Sequence, residues 1–181
     1  MPVLNVEFKV KTNDISIPEN KLLGLNPHYI GEDRQADTYF NVQKGRLKLR
    51  EGNIENALIY YERENTNNAK QSNILLYQHN PDPVLKEILI QVHGIKVVVS
   101  KKRKIYFIEN VKFHFDTIDD LGTFIEVEAI DRTGEIGLQK LQRQCDHFAD
   151  FFEIAASDYI AFSYSDMILE KINQHSTQIN Q

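Results

Sequence analysis

Seven ionisable side chains fall in one short stretch, VKFHFDTIDDLGTFIEVEAI at residues 111–130, and four of them, His114, Asp116, Glu126 and Glu128, are spaced to do chemistry together. In its first half Val111, Phe113 and Phe115 alternate with Lys112, His114 and Asp116. In its second, Ile125, Val127 and Ala129 alternate with Glu126 and Glu128. Successive side chains of a strand point to opposite faces, so each half reads as a strand with one apolar and one ionisable face. Asp119-Asp120-Leu121-Gly122 between them has turn chemistry. If the halves pair, three carboxylates and a histidine share a face. Carboxylates that close repel one another unless a cation or a row of bases sits among them.

Bases in the same kind of pattern occur elsewhere. The polar faces of the alternating runs carry Glu7 and Lys9, Lys48 and Arg50, and Lys101 and Arg103, besides the four residues above. Carboxylates suit Mg2+ or Mn2+, which prefer hard oxygen donors. Arginine binds phosphate oxygens by paired hydrogen bonds and lysine binds them as a point charge. Together they describe a site for a metal–polyphosphate complex. The competing reading is a solvated sheet face laced with cross-strand ion pairs. Strand pairing is not visible in one sequence, so at this point both readings stand. His114 taken alone reads as a surface or hydrogen-bonded histidine. Cys145, on an apolar helix stripe, reads as core.

The elements that must position these groups are mostly strands. Residues 3–11, VLNVEFKVK, alternate cleanly. Residues 12–34 read as irregular, broken by Pro18 and Pro27, with at most a short helix near Glu19–Leu25. Strands follow at 35–43, 46–51 and 57–64, then a polar loop at 65–73. Asp82-Pro83 reads as an N-cap with proline at the first helical position, and Gly94 as that helix's stop. Strands return at 95–108. Leu138, Leu141, Cys145, Phe148 and Phe152 line one stripe of a helix over 135–153. A short helix at 164–172 and a disordered end complete an α+β chain of mostly antiparallel strands. Either one side of a large sheet is wet, or the sheet curls around a polar interior.

The chain's 181 residues fit one domain with one sizeable core. A net charge of −5 argues against a broad nucleic-acid-binding surface. No apolar run is long enough to span a membrane, and the N-terminus lacks the basic start and apolar stretch of a signal peptide. With one cysteine there is no internal disulfide. These features lead us to expect a cytoplasmic protein.

NVEFKVK at 5–11 resembles the Glu-x-Glu-x-Lys signature of the CYTH superfamily, the triphosphate tunnel metalloenzymes. LKLR at 47–50 is similar to that family's Leu-Arg-Ile-Arg strand, and SKKRKIYF at 100–107 to its Lys-x-Arg-x-x-Tyr segment. The run from His114 through LGTFIEVE at 121–128 resembles its most distinctive block. CDHFADFF and SYSDMIL look like the C-terminus of its CyaB-like branch, the class IV adenylyl cyclases. The resemblance implies an eight-stranded antiparallel β-barrel open as a tunnel, with helices packed outside, spanning 1–170 and leaving 171–181 as a tail. It implies Glu7, Glu126 and Glu128 as ligands of Mg2+ or Mn2+. It implies Lys9, Lys48, Arg50, Lys101 and Arg103 as the triphosphate grip, and Glu7, Lys9 and Asp116 as catalytic residues. The implied partner is a nucleoside, inorganic or organic triphosphate, and the implied assembly a homodimer. The implied reaction is conversion of ATP to cyclic AMP and pyrophosphate, with triphosphate hydrolysis or binding without turnover as alternatives. Two departures stand out. Asn5 occupies the position of the first signature glutamate. Tyr60-Tyr61-Glu62-Arg63 replaces a Tyr-Lys-Gly-Pro-like segment, leaving Arg63 as the residue able to stand in for its lysine.

Overall fold

The alternating runs close on themselves. In the computed structural model, which describes residues 3–62 and 70–179, the strands are β1 (Val3–Thr12), β2 (His28–Phe40), β3 (Arg46–Glu51), β4 (Ala57–Glu62), β5 (Lys70–Gln78), β6 (Ile95–Ile108), β7 (Val111–Ile118) and β8 (Gly122–Asp131). Around the barrel the order is β1-β5-β4-β3-β2-β6-β7-β8, and β8 pairs back onto β1. Every pairing is antiparallel. Closure removes the sheet edges and gives each strand an inner and an outer face. The fold is thus an α+β one, an eight-stranded antiparallel barrel with helices outside. The wet-sheet alternative is ruled out.

The helices are α1 (Ser16–Leu23), α2 (Pro83–His93), α3 (Leu138–Phe151) and α4 (Tyr164–Ile179). At the start of α2 the Asp82 carboxylate accepts from the Val84 N–H at 2.9 Å, and Pro83 follows the cap. Gly94 ends it at φ 68°, a conformation that favours glycine. On α3 the expected stripe holds at Leu141, Cys145 and Phe148, which are buried, while Leu138 is exposed.

The main core lies outside the barrel wall. Val6, Phe8, Val10, Phe113, Phe115, Ile125, Val127 and Ala129 on the outer faces of β1, β7 and β8 pack against Leu141, Cys145, Phe148 and Ala149 of α3. A second cluster closes one end on the β6–β8 side, where Tyr164 at the start of α4 meets Val97, Val99, Ile118 and Phe124. A third sets α2, through Leu89, on Phe40 and Leu49. Strand β5 differs: Leu75 and Tyr77 on it are 57% and 66% exposed.

Three elements depart from the sequence reading. Strand β2 starts at His28, not at residue 35, and absorbs an irregularity between Tyr29 and Gly31 in its pairing with β6. Strand β5 begins at Lys70, within the stretch expected to be loop. Helix α4 continues past residue 172 to Ile179.

Candidate functional site

Register decides what meets inside the barrel. Lys112 is opposite Glu128, and Glu128 is opposite Glu7; His114 is opposite Glu126, and Glu126 is opposite Lys9. Arg103 is opposite Asp116, and Asp37 is opposite Arg50. Directly opposed residues share a face, so these pairs form rows across the inner wall. They border a cavity of about 410 Å³ lined by Glu7, Lys9, Lys48, Arg50, Lys101, Arg103, Glu126 and Glu128. Of the residues singled out from the sequence, only Arg63 lies outside the described residues. Asp116 and His114 are buried in the wall beside the cavity.

On the β1–β7–β8 side the charges are acidic and tightly tied. Arg103 donates Nε to Asp116 Oδ1 and Nη2 to Asp116 Oδ2, both at 2.6 Å, and Nη2 also reaches Glu126 Oε2 at 2.7 Å. Lys9 Nζ lies 3.1 Å from Glu126 Oε1 and 3.8 Å over the Tyr164 ring. The Tyr164 hydroxyl donates to Asp116 Oδ2 at 2.8 Å. Burial would raise Glu126 and Asp116, but Lys9 and Arg103 hold the former, and Arg103 the latter, below the usual carboxylate range. Glu128 goes the other way. Burial, then the negative charge of Glu126, push it up to about 7.

His114 is 1% exposed, which corrects the surface reading of it. Burial, then Arg103 and Lys112, push its imidazole down to about 3, so it is neutral at pH 7. Its Nδ1 is 3.4 Å from Glu126 Oε2 and 3.6 Å from Glu128 Oε1. Its Nε2 is buried without a hydrogen-bond partner among the described residues.

A divalent cation fits this side. Donor atoms of His114, Glu126 and Glu128 lie within 4.8 Å of one another. Asn5, 2% exposed and lining the cavity, has a buried Oδ1 with no partner among the described residues, while its Nδ2 donates to Glu7 Oε2 at 3.3 Å. An orphaned buried oxygen beside crowded carboxylates is a donor set lacking its acceptor. The tight trio contains His114 where the sequence reading had Glu7, which faces Glu128 from β1.

On the β2–β3–β6 side the charges are basic and share one carboxylate. Asp37, 1% exposed, takes Arg50 Nε at 2.8 Å and Nη2 at 3.0 Å, Lys48 Nζ at 3.0 Å and Lys101 Nζ at 2.7 Å. Against burial, Arg50, Lys101 and Lys48 hold Asp37 well below the usual range. Three cations still outnumber Asp37 and Glu55, the second carboxylate, which Arg50 Nη1 reaches at 2.9 Å. Burial, and the nearby Arg50, Arg103 and Lys48, push Lys101 down to about 7 despite Asp37. Sequence reasoning missed Asp37, and it missed Lys112 and Glu55, which are paired at the tunnel mouth. The parity of Lys112 with His114 and Asp116 was a usable signal; Glu55, in a turn, had none.

The barrel is similar to solved structures at low sequence identity. The PH1012 protein from Pyrococcus horikoshii OT3 superposes with a TM-score of 0.74 at 22% identity, covering 90% of this chain and 98% of that one. A candidate adenylate cyclase from Vibrio parahaemolyticus gives 0.75 at 16% identity, covering 91% and 97%. A candidate adenylyl cyclase from Hippeastrum, described as having a dominant triphosphatase activity, gives 0.61 at 12% identity, covering 96% of each. No curated protein sequence matches the chain. The profile of the CYTH domain matches residues 4–152, from the strand that carries Asn5, Glu7 and Lys9 to the end of the helix packed behind it, and the chain belongs to the CYTH-domain family.

Proposed function

We propose that the protein is a metal-dependent enzyme acting on a nucleoside triphosphate, with conversion of ATP to cyclic AMP and pyrophosphate as its reaction. The observation that supports this is the meeting of two opposite charge excesses in one cavity, with Glu7, Glu126 and Glu128 on one wall and Lys48, Arg50 and Lys101 converging on Asp37 on the other. A metal–triphosphate complex carries both complementary charges. Val3, Ile54, Ile74, Leu76 and Ile130 add an apolar wall that suits a nucleoside more than bare tripolyphosphate.

In this reading Lys48, Arg50, Lys101 and Arg103 bind phosphate oxygens. Glu7, Glu126 and Glu128 hold Mg2+ or Mn2+, with Asn5 Oδ1 and His114 beside them. The bound ion supplies charge neutralisation and polarisation of the phosphoryl oxygens. The 3′ oxygen bonds to the α-phosphorus as the bond to the bridging oxygen of pyrophosphate breaks, and Glu7 takes the hydroxyl proton. Lys9, steadied by Glu126 and the Tyr164 ring, stabilises charge developing on the phosphoryl oxygens. Asp116 acts by holding the Arg103 guanidinium in place.

Hydrolysis, with water attacking the terminal phosphorus and orthophosphate leaving, is the second reading. The similarity to the Hippeastrum protein favours it. The test is incubation of purified protein with Mg2+ or Mn2+ and ATP, tripolyphosphate or thiamine triphosphate. Cyclic AMP with pyrophosphate supports the cyclase, and orthophosphate the hydrolase. Tight binding without product under either metal sinks both and leaves a polyphosphate-binding protein. A homodimer in the cytoplasm accompanies the proposal, checked by light scattering and by cell fractionation.

A further inference from the structure

Glu55 reaches the tunnel from outside the strand pattern. It sits in the turn between β3 and β4, at the mouth. Its Oε2 accepts from Arg50 Nη1 at 2.9 Å and from Gln35 Nε2 at 3.1 Å, and its Oε1 pairs with Lys112 Nζ. Burial would raise its carboxyl, but Lys112 and Arg50 hold it well below the usual range. The backbone beneath it is pinned. Asp33, fully buried, accepts the Ile54 and Glu55 N–H groups at 2.9 Å each. Gly52 leaves room for this, since a Cβ there would lie 2.6 Å from Asp33 Oδ1. The turn is therefore fixed, and what can move is the Glu55 side chain. It is 26% exposed against 1% for Asp37, the other carboxylate on these bases.

We propose that Glu55 is a tethered competitor for the phosphate site. Its carboxylate occupies Arg50 and Lys112 until a polyanion displaces it, and it reoccupies them as the ligand leaves. The proposal rests on the triphosphate reading above. Tethering places the carboxylate at high effective concentration, so a ligand with a single charge gains little by the exchange. A polyphosphate gains both bases while also reaching Lys48 and Lys101. Glu55 thus sets a threshold of charge for occupancy and shortens the stay of whatever binds. It also places Lys112 in the binding site.

The test is calorimetric titration of the full chain with tripolyphosphate or ATP, with Mg2+ present, in the native protein and in Glu55→Gln and Glu55→Ala. Both variants are expected to bind on the order of tenfold tighter and to release the ligand more slowly, as loss of a competing charge-assisted contact implies. Equal or weaker binding in the variants, with clear binding by the native protein, overturns the role of Glu55 and leaves the triphosphate reading intact. No binding of either tripolyphosphate or ATP by any of the three overturns both. A structure of the native protein with tripolyphosphate gives an answer that needs no variant. Glu55 is expected beyond hydrogen-bonding distance of Arg50, and an intact Glu55–Arg50 contact beside bound ligand overturns the proposal.

Discussion

Glu128 is pushed up and Lys101 pushed down, each to about 7, for mirror-image reasons. On the β1–β7–β8 side, carboxylates outnumber the cations that reach them, and Glu128 keeps its proton up to about 7. On the β2–β3–β6 side, three cations converge on Asp37, and Lys101 gives up its proton at about 7. Each side resists the charge it already has too much of. A single ion would relieve one side only, whereas a cation bound to a polyanion relieves both. Arg103 sits at the junction, tied to Asp116 and Glu126.

Arg103→Ala should break the comparison outright. It strands the buried Asp116 carboxylate and leaves Glu126 with Lys9 as its cation, at a cost of about 3–5 kcal/mol. Chemical denaturation should register that loss, and the melting temperature should fall by roughly 10 °C. A change near zero would mean that the two acids are already neutral. Next in size, Arg50→Ala should weaken triphosphate binding about 100-fold while leaving Mg2+ affinity unchanged, and Glu126→Gln should do the reverse. Calorimetry with each ligand separately reads this crossing. Parallel losses in both variants would show that the two sides are not separate.

The pH dependence is smaller and has opposite signs. Glu128 is raised from 4.5 to about 7 and must lose its proton to accept a cation, so metal affinity rises between about pH 6 and about pH 8. Lys101 is depressed from 10.5 to about 7, so phosphate binding weakens as pH rises through the same window. For stability, the Glu128 contribution is complete below 4.5 and is lost as pH rises through about 7. Titrations across this range check all three. The smallest effect is expected from Asn5→Asp, which adds a charge beside Glu7. Metal affinity should rise by roughly a few-fold, the attraction of the added charge being largely offset by the cost of burying it beside Glu7, and a fall would place Asn5 Oδ1 outside the metal's reach.

How much was legible followed sequence distance. The β7–β8 hairpin joins strands adjacent in the chain, so alternation alone placed His114, Asp116, Glu126 and Glu128 on one face. Asp37 was hidden because its partners come from other strands, Lys101 being 64 residues away. Its strand was also read as starting too late, because Tyr29–Asp33 lacks a clean alternation around the irregularity at Gly31. Glu55 lay in a turn, where no periodicity exists to read. Strand β5 was half hidden in a polar stretch, and its outward residues include no buried apolar side that would have announced it. The barrel closure itself came from family resemblance. Alternation allowed it but could not choose it.

The bare outer face of β5 has a consequence for motion. Strands β1, β7 and β8 have packed side chains on both faces, behind α3 and around the ion pairs. Strand β5 has a cavity on one side and solvent on the other, with Leu75 and Tyr77 uncovered. Amide hydrogens that open with few apolar contacts exchange earliest. Exchange should therefore run fastest along β5 and slowest along β7 and β8, so that the barrel loosens first at the seam between β4 and β1 while the acidic wall keeps its shape.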